Sequence, residues 1–277
     1  MPEGPEVKLI VDKLSKKLKN KTLTKIVVHN GKYTRFTNQF NNIINLLPLK
    51  IFNIDCKGKF IYFEFYDNDV VIFNTLGMSG SWFSSNEANK FSDNSRYSKK
   101  HNNIEFVFNN DISYYFNDMR NFGNIIISNK SELNKKLNKL GIDILEPNNE
   151  FNEFYQLLTK KSNLNKEIGL VLLDQMIVAG CGNYIRAEVL YLCDINPFVK
   201  INKLSDENIK DIYKYLKKVA YISYNIELGI EYGILRKNDK LIKMYENRMF
   251  LIYMQKIGPF GEIVKSKKMA DRTIHYV

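Results

Sequence analysis

The spacing of apolar residues along the chain changes twice, and each change marks a different kind of structure. From Pro5, a residue suited to the first turn of a helix, Val7, Ile10, Val11, Leu14 and Leu18 recur on one helical face, with Lys8, Lys13, Lys16 and Lys17 on the others. This predicts an N-terminal amphipathic helix. Between Lys25 and Ile127 the pattern shortens to β-rich runs: Lys25 to His29, Lys59 to Phe65, Val70 to Phe73, Ile104 to Phe108 and Ile112 to Phe116. Polar turns such as Asp67-Asn68-Asp69 and Asn109-Asn110-Asp111 separate them, as in a β-sandwich or barrel. After Ser131 helical spacing returns, over Ser131 to Leu140, Asn152 to Thr159, Glu167 to Val178, Tyr184 to Leu192 and Ser205 to Glu227. The long helix is expected to end near Gly229. Strands follow at Phe250 to Tyr253, Glu262 to Val264 and Thr273 to Tyr276, around the turn Gly258-Pro259-Phe260-Gly261, as a small terminal hairpin. The chain thus reads as an α+β protein with an N-terminal β domain over residues 1–130, a linker region over 131–150 containing Glu146-Pro147-Asn148-Asn149, and a helical domain over 151–277.

A length of 277 residues is enough for two such cores. The formal charge of +11 favours a polyanionic partner, with nucleic acid the first candidate, although a solvated basic surface explains charge alone equally well. Residues 229–277 concentrate the excess, with ten Lys/Arg against five Asp/Glu. Three widely spaced cysteines, Cys56, Cys181 and Cys193, suggest neither a disulfide framework nor a CxxC pair and fit a reducing, intracellular compartment. No run approaches the length of a membrane span and the first residues are no signal peptide, so a soluble protein with no membrane partner is expected. The 34 Asn against 5 Ala point to an AT-rich genome.

The opening residues carry the clearest chemistry. In Met1-Pro2-Glu3-Gly4-Pro5-Glu6, loss of Met1 would leave a secondary amine beside two acids. An α-amino group titrates near pH 8, roughly two units below a lysine, so a useful fraction is free to attack an electrophilic carbon. The alternative is that Pro2 and Pro5 start a helix whose dipole Glu3 and Glu6 complement. Further runs stand out: Cys56-Lys57-Gly58-Lys59-Phe60 at a strand start, and Leu76-Gly77-Met78-Ser79-Gly80 and Asp118-Met119-Arg120-Asn121-Phe122-Gly123 after β-rich runs. Then come Leu172-Leu173-Asp174-Gln175 with Gly180-Cys181-Gly182-Asn183-Tyr184-Ile185-Arg186-Ala187-Glu188, read as helix, glycine turn, helix, and finally Asp271-Arg272-Thr273-Ile274-His275-Tyr276. By composition alone Lys59 is surface, and Met78 and Phe122 are core residues.

In this order, from Pro2 to Arg272, these runs resemble the formamidopyrimidine-glycosylase/endonuclease VIII family across essentially the whole chain. The resemblance implies an N-terminal β-sandwich with flanking helices, and a C-terminal helical domain with a helix-two-turns-helix and a β-hairpin finger. It implies a bifunctional DNA glycosylase and abasic-site lyase of base excision repair. Pro2 matches the nucleophile that forms a Schiff base with deoxyribose, Glu3 the acid that protonates the opening sugar, and Glu6 a supporting member of the signature. Lys59 matches a catalytic-site lysine that holds the phosphate beside the flipped nucleotide. Met78, Arg120 and Phe122 match the side chains that fill the void left by that nucleotide, and Asn183 and Arg272 match phosphate contacts. The implied partner is double-stranded DNA containing oxidised bases or abasic sites, bound by a monomer, without cofactor or metal.

Most relatives build the finger on four cysteines and zinc, whereas no cysteine follows Cys193 here. A zincless finger is therefore expected, packed by Leu251, Tyr253, Ile257, Phe260, Ile263 and Ile274, as in endonuclease VIII-like enzymes of vertebrates and giant DNA viruses. The Asn bias makes a viral relative the preferred source. Gly4, where the guanine-repair branch usually has Leu, and a short Gly229–Tyr245 segment favour oxidised pyrimidines over 8-oxoguanine. Thr75, where several relatives have His, is a further departure. The alternatives are an 8-oxoguanine and formamidopyrimidine glycosylase, or a catalytically silent damaged-DNA-binding protein.

Overall fold

The computed structural model of the chain describes residues 2–227, 240–245 and 249–277. The expected loss of Met1, the end of the long helix near Gly229 and most of the short segment that follows lie outside the described residues. The chain folds as two compact units, Met1–Pro2 with Val7–Asn138 and Glu3–Glu6 with Lys139–Val277. The segment 131–150, expected as a linker, gives most of one helix to the first unit and a short strand to the second.

The first unit runs α1 (Gly4–Leu18), β1 (Thr22–Val28), α2 (Thr37–Ile44), β2 (Leu49–Lys57), β3 (Phe60–Phe65), β4 (Val70–Thr75), β5 (Ser81–Ser84), α3 (Ser85–Ala88), β6 (Asn102–Phe108), β7 (Ile112–Asn117), β8 (Asn124–Asn129) and α4 (Lys130–Lys139). The predicted stripe of α1 is the one it buries, with Val7, Val11, Leu14 and Leu18 inside the core. The eight strands pair in the order β5-β7-β6-β1-β2-β3-β4-β8, every pair antiparallel. Neighbouring strands lie about 4.8 Å apart, so in a flat sheet β3 and β5 would stand about 24 Å from each other. Instead the rings of Phe63 on β3 and Trp82 on β5 are 5.7 Å apart, and the Trp82 indole N–H donates to Asn74 Oδ1 on β4 at 2.9 Å. The sheet is therefore folded on itself into two layers, with Phe63, Trp82, Phe106 and Phe116 between them.

Three strands of the first unit escape sequence reading. Strand β2 carries an irregularity between Ile51 and Asn53 that breaks its alternation, β5 has four residues, and β8 is an edge strand that leaves Ile126 48% exposed.

The second unit contains β9 (Ile142–Asp143), α5 (Phe151–Leu158), α6 (Ile168–Val171), β10 (Val178–Ala179), α7 (Asn183–Leu192), α8 (Asp206–Glu227), α9 (Lys240–Tyr245), β11 (Lys265–Met269) and β12 (Arg272–Tyr276). The helix expected over Glu167 to Val178 is only the four residues of α6. Asp174 bonds the Met176 N–H, and Val178–Ala179 pairs in parallel with Ile142–Asp143, so tertiary pairing overrides helical spacing. The terminal hairpin is β11 and β12, turning at Ala270 and Asp271 rather than at Gly258–Gly261. Phe250 to Tyr253 and Glu262 to Val264 are not strands; a single bridge joins Ile257 and Ile263. Among the described residues no helix is long and apolar enough to cross a membrane.

Replacing Phe63, which is wholly buried between the two layers, with Ala should lower unfolding stability by about 3–5 kcal/mol in urea titration. A loss below about 1 kcal/mol would contradict closure of the layers over this ring.

Candidate active site

In the second unit the site is organised by a buried carboxylate. Glu3 is 2% exposed; its Oε1 accepts the Tyr184 N–H at 2.9 Å and its Oε2 the Ile185 N–H at 3.3 Å. These amides belong to the first turn of α7, where no intrahelical acceptor exists and negative charge is favoured. Gly182, just before α7, must lack a side chain because a Cβ there would lie 2.2 Å from the Glu3 carboxyl carbon. The neighbouring Gly180 has φ +96 and accepts the Gly4 N–H at 2.9 Å. Gly4 is constrained in turn, since its Cβ would come 3.1 Å from the Gly180 Cα. The Gln175 side chain braces the turn, accepting from the Gly180 N–H and donating to the Cys181 carbonyl.

Glu6 supports this arrangement. Its Oε2 accepts the Glu3 N–H at 2.7 Å, half of a capping box at the start of α1, and its Oε1 accepts the Tyr184 hydroxyl at 2.9 Å. Burial, then the charges of Glu6 and Glu3, push the Tyr184 phenol well above its ordinary value, so the hydroxyl stays a donor. The helix-start reading of Glu6 thus has a structural basis in its bond to the Glu3 N–H, and the same carboxylate also holds Tyr184.

Asn183 and Arg272 are linked through the hairpin. The Asn183 carboxamide donates to the Thr273 carbonyl at 2.8 Å, and its Oδ1 accepts from the guanidinium of Arg186 at 2.7 Å. Arg186 is completely buried and also donates to the Gly169 carbonyl at 2.7 Å. Burial lowers its pKa, and the nearby charge of Arg272 adds to the effect. Arg272 itself is exposed at the first position of β12.

Glu188, also fully buried, accepts the consecutive N–H groups of Leu251, Ile252 and Tyr253 at 2.7–2.9 Å and the Tyr245 hydroxyl at 2.9 Å. Burial nevertheless raises its pKa. Sequence reading assigned no role to Tyr184, Arg186 or Glu188, although ionisable residues inside the apolar run of α7 were a signal.

The apolar residues expected to pack the finger divide. Leu251 and Ile274 are buried, but Ile257, Phe260 and Ile263 are 56–75% exposed and contribute little. Nor do the residues fit zinc. The three cysteines all precede the hairpin, Cys181 is buried in the glycine turn, and the segment 251–253 is held by the Glu188 carboxylate.

In the first unit, Pro2 stands part-exposed ahead of α1. Lys59 is the second residue of the two-residue turn joining β2 and β3, where Gly58 takes the positive φ of +58 that such hairpin turns need. Met78, Arg120 and Phe122 come together on two loops. The Arg120 guanidinium lies 4.8 Å from the centre of the Phe122 ring, and Phe122 is 51% exposed, which excludes the core reading for that residue. Met78 is half-buried on the facing loop.

Comparison with known proteins agrees with this organisation. Residues 1–125 match the formamidopyrimidine-DNA glycosylase N-terminal domain and residues 140–231 the formamidopyrimidine-DNA glycosylase H2TH domain. The formamidopyrimidine-DNA glycosylase of Mycoplasma mobile is 31% identical over 94% of this chain and 96% of its own length. That of Ureaplasma parvum serovar 3 is 30% identical over 100% and 98%. The crystal structure of the Lactococcus lactis formamidopyrimidine-DNA glycosylase bound non-covalently to DNA with an abasic site has the same fold, with a TM-score of 0.77 over 99% of this chain and 97% of that one at 22% identity. The chain belongs to the formamidopyrimidine-DNA glycosylase/endonuclease VIII family, the DNA N-glycosylases and abasic-site lyases of base excision repair.

Glu188→Ala would leave three buried N–H groups unpaired at 251–253 and should cost about 3 kcal/mol or more in denaturant unfolding. Unchanged stability would refute the anchoring role.

Proposed function

We propose that the chain excises formamidopyrimidines and 8-oxoguanine from duplex DNA through Pro2 and then cuts the strand. What carries the substrate assignment is likeness to full-length relatives at 30–31% identity that bear the name formamidopyrimidine-DNA glycosylase. The features that favoured oxidised pyrimidines weigh less. Gly4 has a structural reason in its approach to Gly180, and residues 228–239 are outside the described residues.

In the proposed reaction, the Pro2 amine, exposed by removal of Met1, attacks C1′ of the damaged nucleotide. The glycosidic bond breaks and the base leaves with its bonding pair; the Glu3 carboxylate takes the proton that the attacking Pro2 nitrogen sheds and passes it to the sugar ring oxygen as the bond from that oxygen to C1′ breaks. The resulting iminium between Pro2 and the sugar makes the C2′ proton acidic. Its loss expels the 3′-phosphate, and a second elimination releases the 5′-phosphate, leaving a one-nucleotide gap. Lys59 holds the adjoining phosphate, Asn183 and Arg272 grip the backbone, and Met78, Arg120 and Phe122 replace the extruded nucleotide in the stack. The hairpin does this without a metal.

Borohydride should trap the protein on oligonucleotides carrying formamidopyrimidine or 8-oxoguanine, with kcat/KM at least about tenfold above that for thymine glycol or 5-hydroxyuracil. A pyrimidine preference would overturn the substrate assignment. Undiminished processing by Pro2→Gly would overturn the nucleophile.

A further inference from the structure

We propose that Ser79 and Asp118 are positioning residues that lock the two loops bearing Met78, Arg120 and Phe122 into one rigid wedge before DNA arrives. This deepens the void-filling reading of those three side chains and depends on it. Asp118 is 0% exposed, yet hydrogen bonds from neutral donors hold its carboxylate in place. Its Oδ1 accepts the Ser79 hydroxyl at 2.6 Å, and its Oδ2 accepts the Gly123 N–H at 2.7 Å. Ser79 Oγ in turn accepts the Arg120 N–H at 3.0 Å. Every member of the wedge therefore adjoins an anchored atom. Met78 precedes Ser79, Arg120 is bonded to it through its own amide, and Phe122 precedes the anchored Gly123.

The backbones of the two loops also touch. A Cβ on Gly77, at φ +60, would lie 2.4 Å from the Phe122 carbonyl carbon, and one on Gly123 would lie 2.7 Å from the Thr75 carbonyl oxygen. Asn121 adopts φ +56 between the two exposed wedge residues, and its Oδ1 accepts from Asn103 Nδ2. The Asp118 N–H is fixed by the Asn103 side chain at 2.7 Å, so the latch is seated on β6. Side chains that enter a base stack must arrive already ordered, because freezing a loose loop during binding subtracts from the stabilisation they give. A buried carboxylate that loses one donor retains its desolvation cost, so the Ser79 hydroxyl is more than a surface contact.

The test is Ser79→Ala and Ser79→Thr, assayed on a lesion in duplex DNA and by borohydride trapping on an abasic site in a single strand, where no stack has to be filled. Ser79→Ala should lower kcat/KM on the duplex lesion about tenfold and leave single-strand trapping within about twofold, while its urea midpoint falls but the protein stays folded at assay conditions. Ser79→Thr, which restores the hydroxyl, should recover the duplex rate. Equal losses on both substrates, no loss on the duplex, or failure of Ser79→Thr to recover would each overturn the latch. A Met78→Ala/Arg120→Ala variant run alongside separates the two levels. Undiminished duplex excision by that variant would overturn the void-filling reading and the latch with it, whereas its loss beside an unaffected Ser79→Ala would overturn the latch alone.

Discussion

The carboxylate of Glu3, buried against the first turn of α7, is the constraint on which the second unit depends. A charged group in that position needs donors, and the free amides of a helix N-terminus supply them. Its presence forbids a side chain at Gly182, and the close approach of Gly4 to Gly180 requires a second turn of bare backbone. Glu6 completes the arrangement by holding the Glu3 amide and the Tyr184 hydroxyl together. The residue covalently attached to Pro2 thus has its carboxyl group fixed by the same turn that presents Asn183.

Two more buried ionic groups extend this logic along α7. Arg186 orients Asn183 towards the Thr273 carbonyl on the second strand of the hairpin, and Glu188 gathers the amides of 251–253 ahead of the hairpin. Removing one partner from such a node is costly because the other stays buried and unpaired. These two side chains of α7 tie the hairpin and the segment ahead of it to the helix that carries Asn183.

Much of this was legible in the sequence where local chemistry dictates structure. The α1 stripe, the turn glycines and the run from Gly180 to Glu188 stand where the pattern put them. The exposure of Phe122 was not legible, because an aromatic residue after a β-rich run is read as core unless loop geometry is known. The shortening of the expected 167–178 helix depends on pairing with Ile142–Asp143, a partner far away in sequence. Ile257, Phe260 and Ile263 were read as packing because they are apolar, whereas the segment 251–253 is in fact held by a carboxylate. The substrate branch was the least legible, since Gly4 reports a backbone approach to Gly180.

The most direct test of the account is Glu3→Gln, measured for base excision and for trapping on a preformed abasic site. If the buried carboxyl group beside Pro2 delivers the proton that sugar opening requires during excision, excision falls at least about a hundredfold while attack on the preformed aldehyde persists. Base excision at the original rate would contradict it.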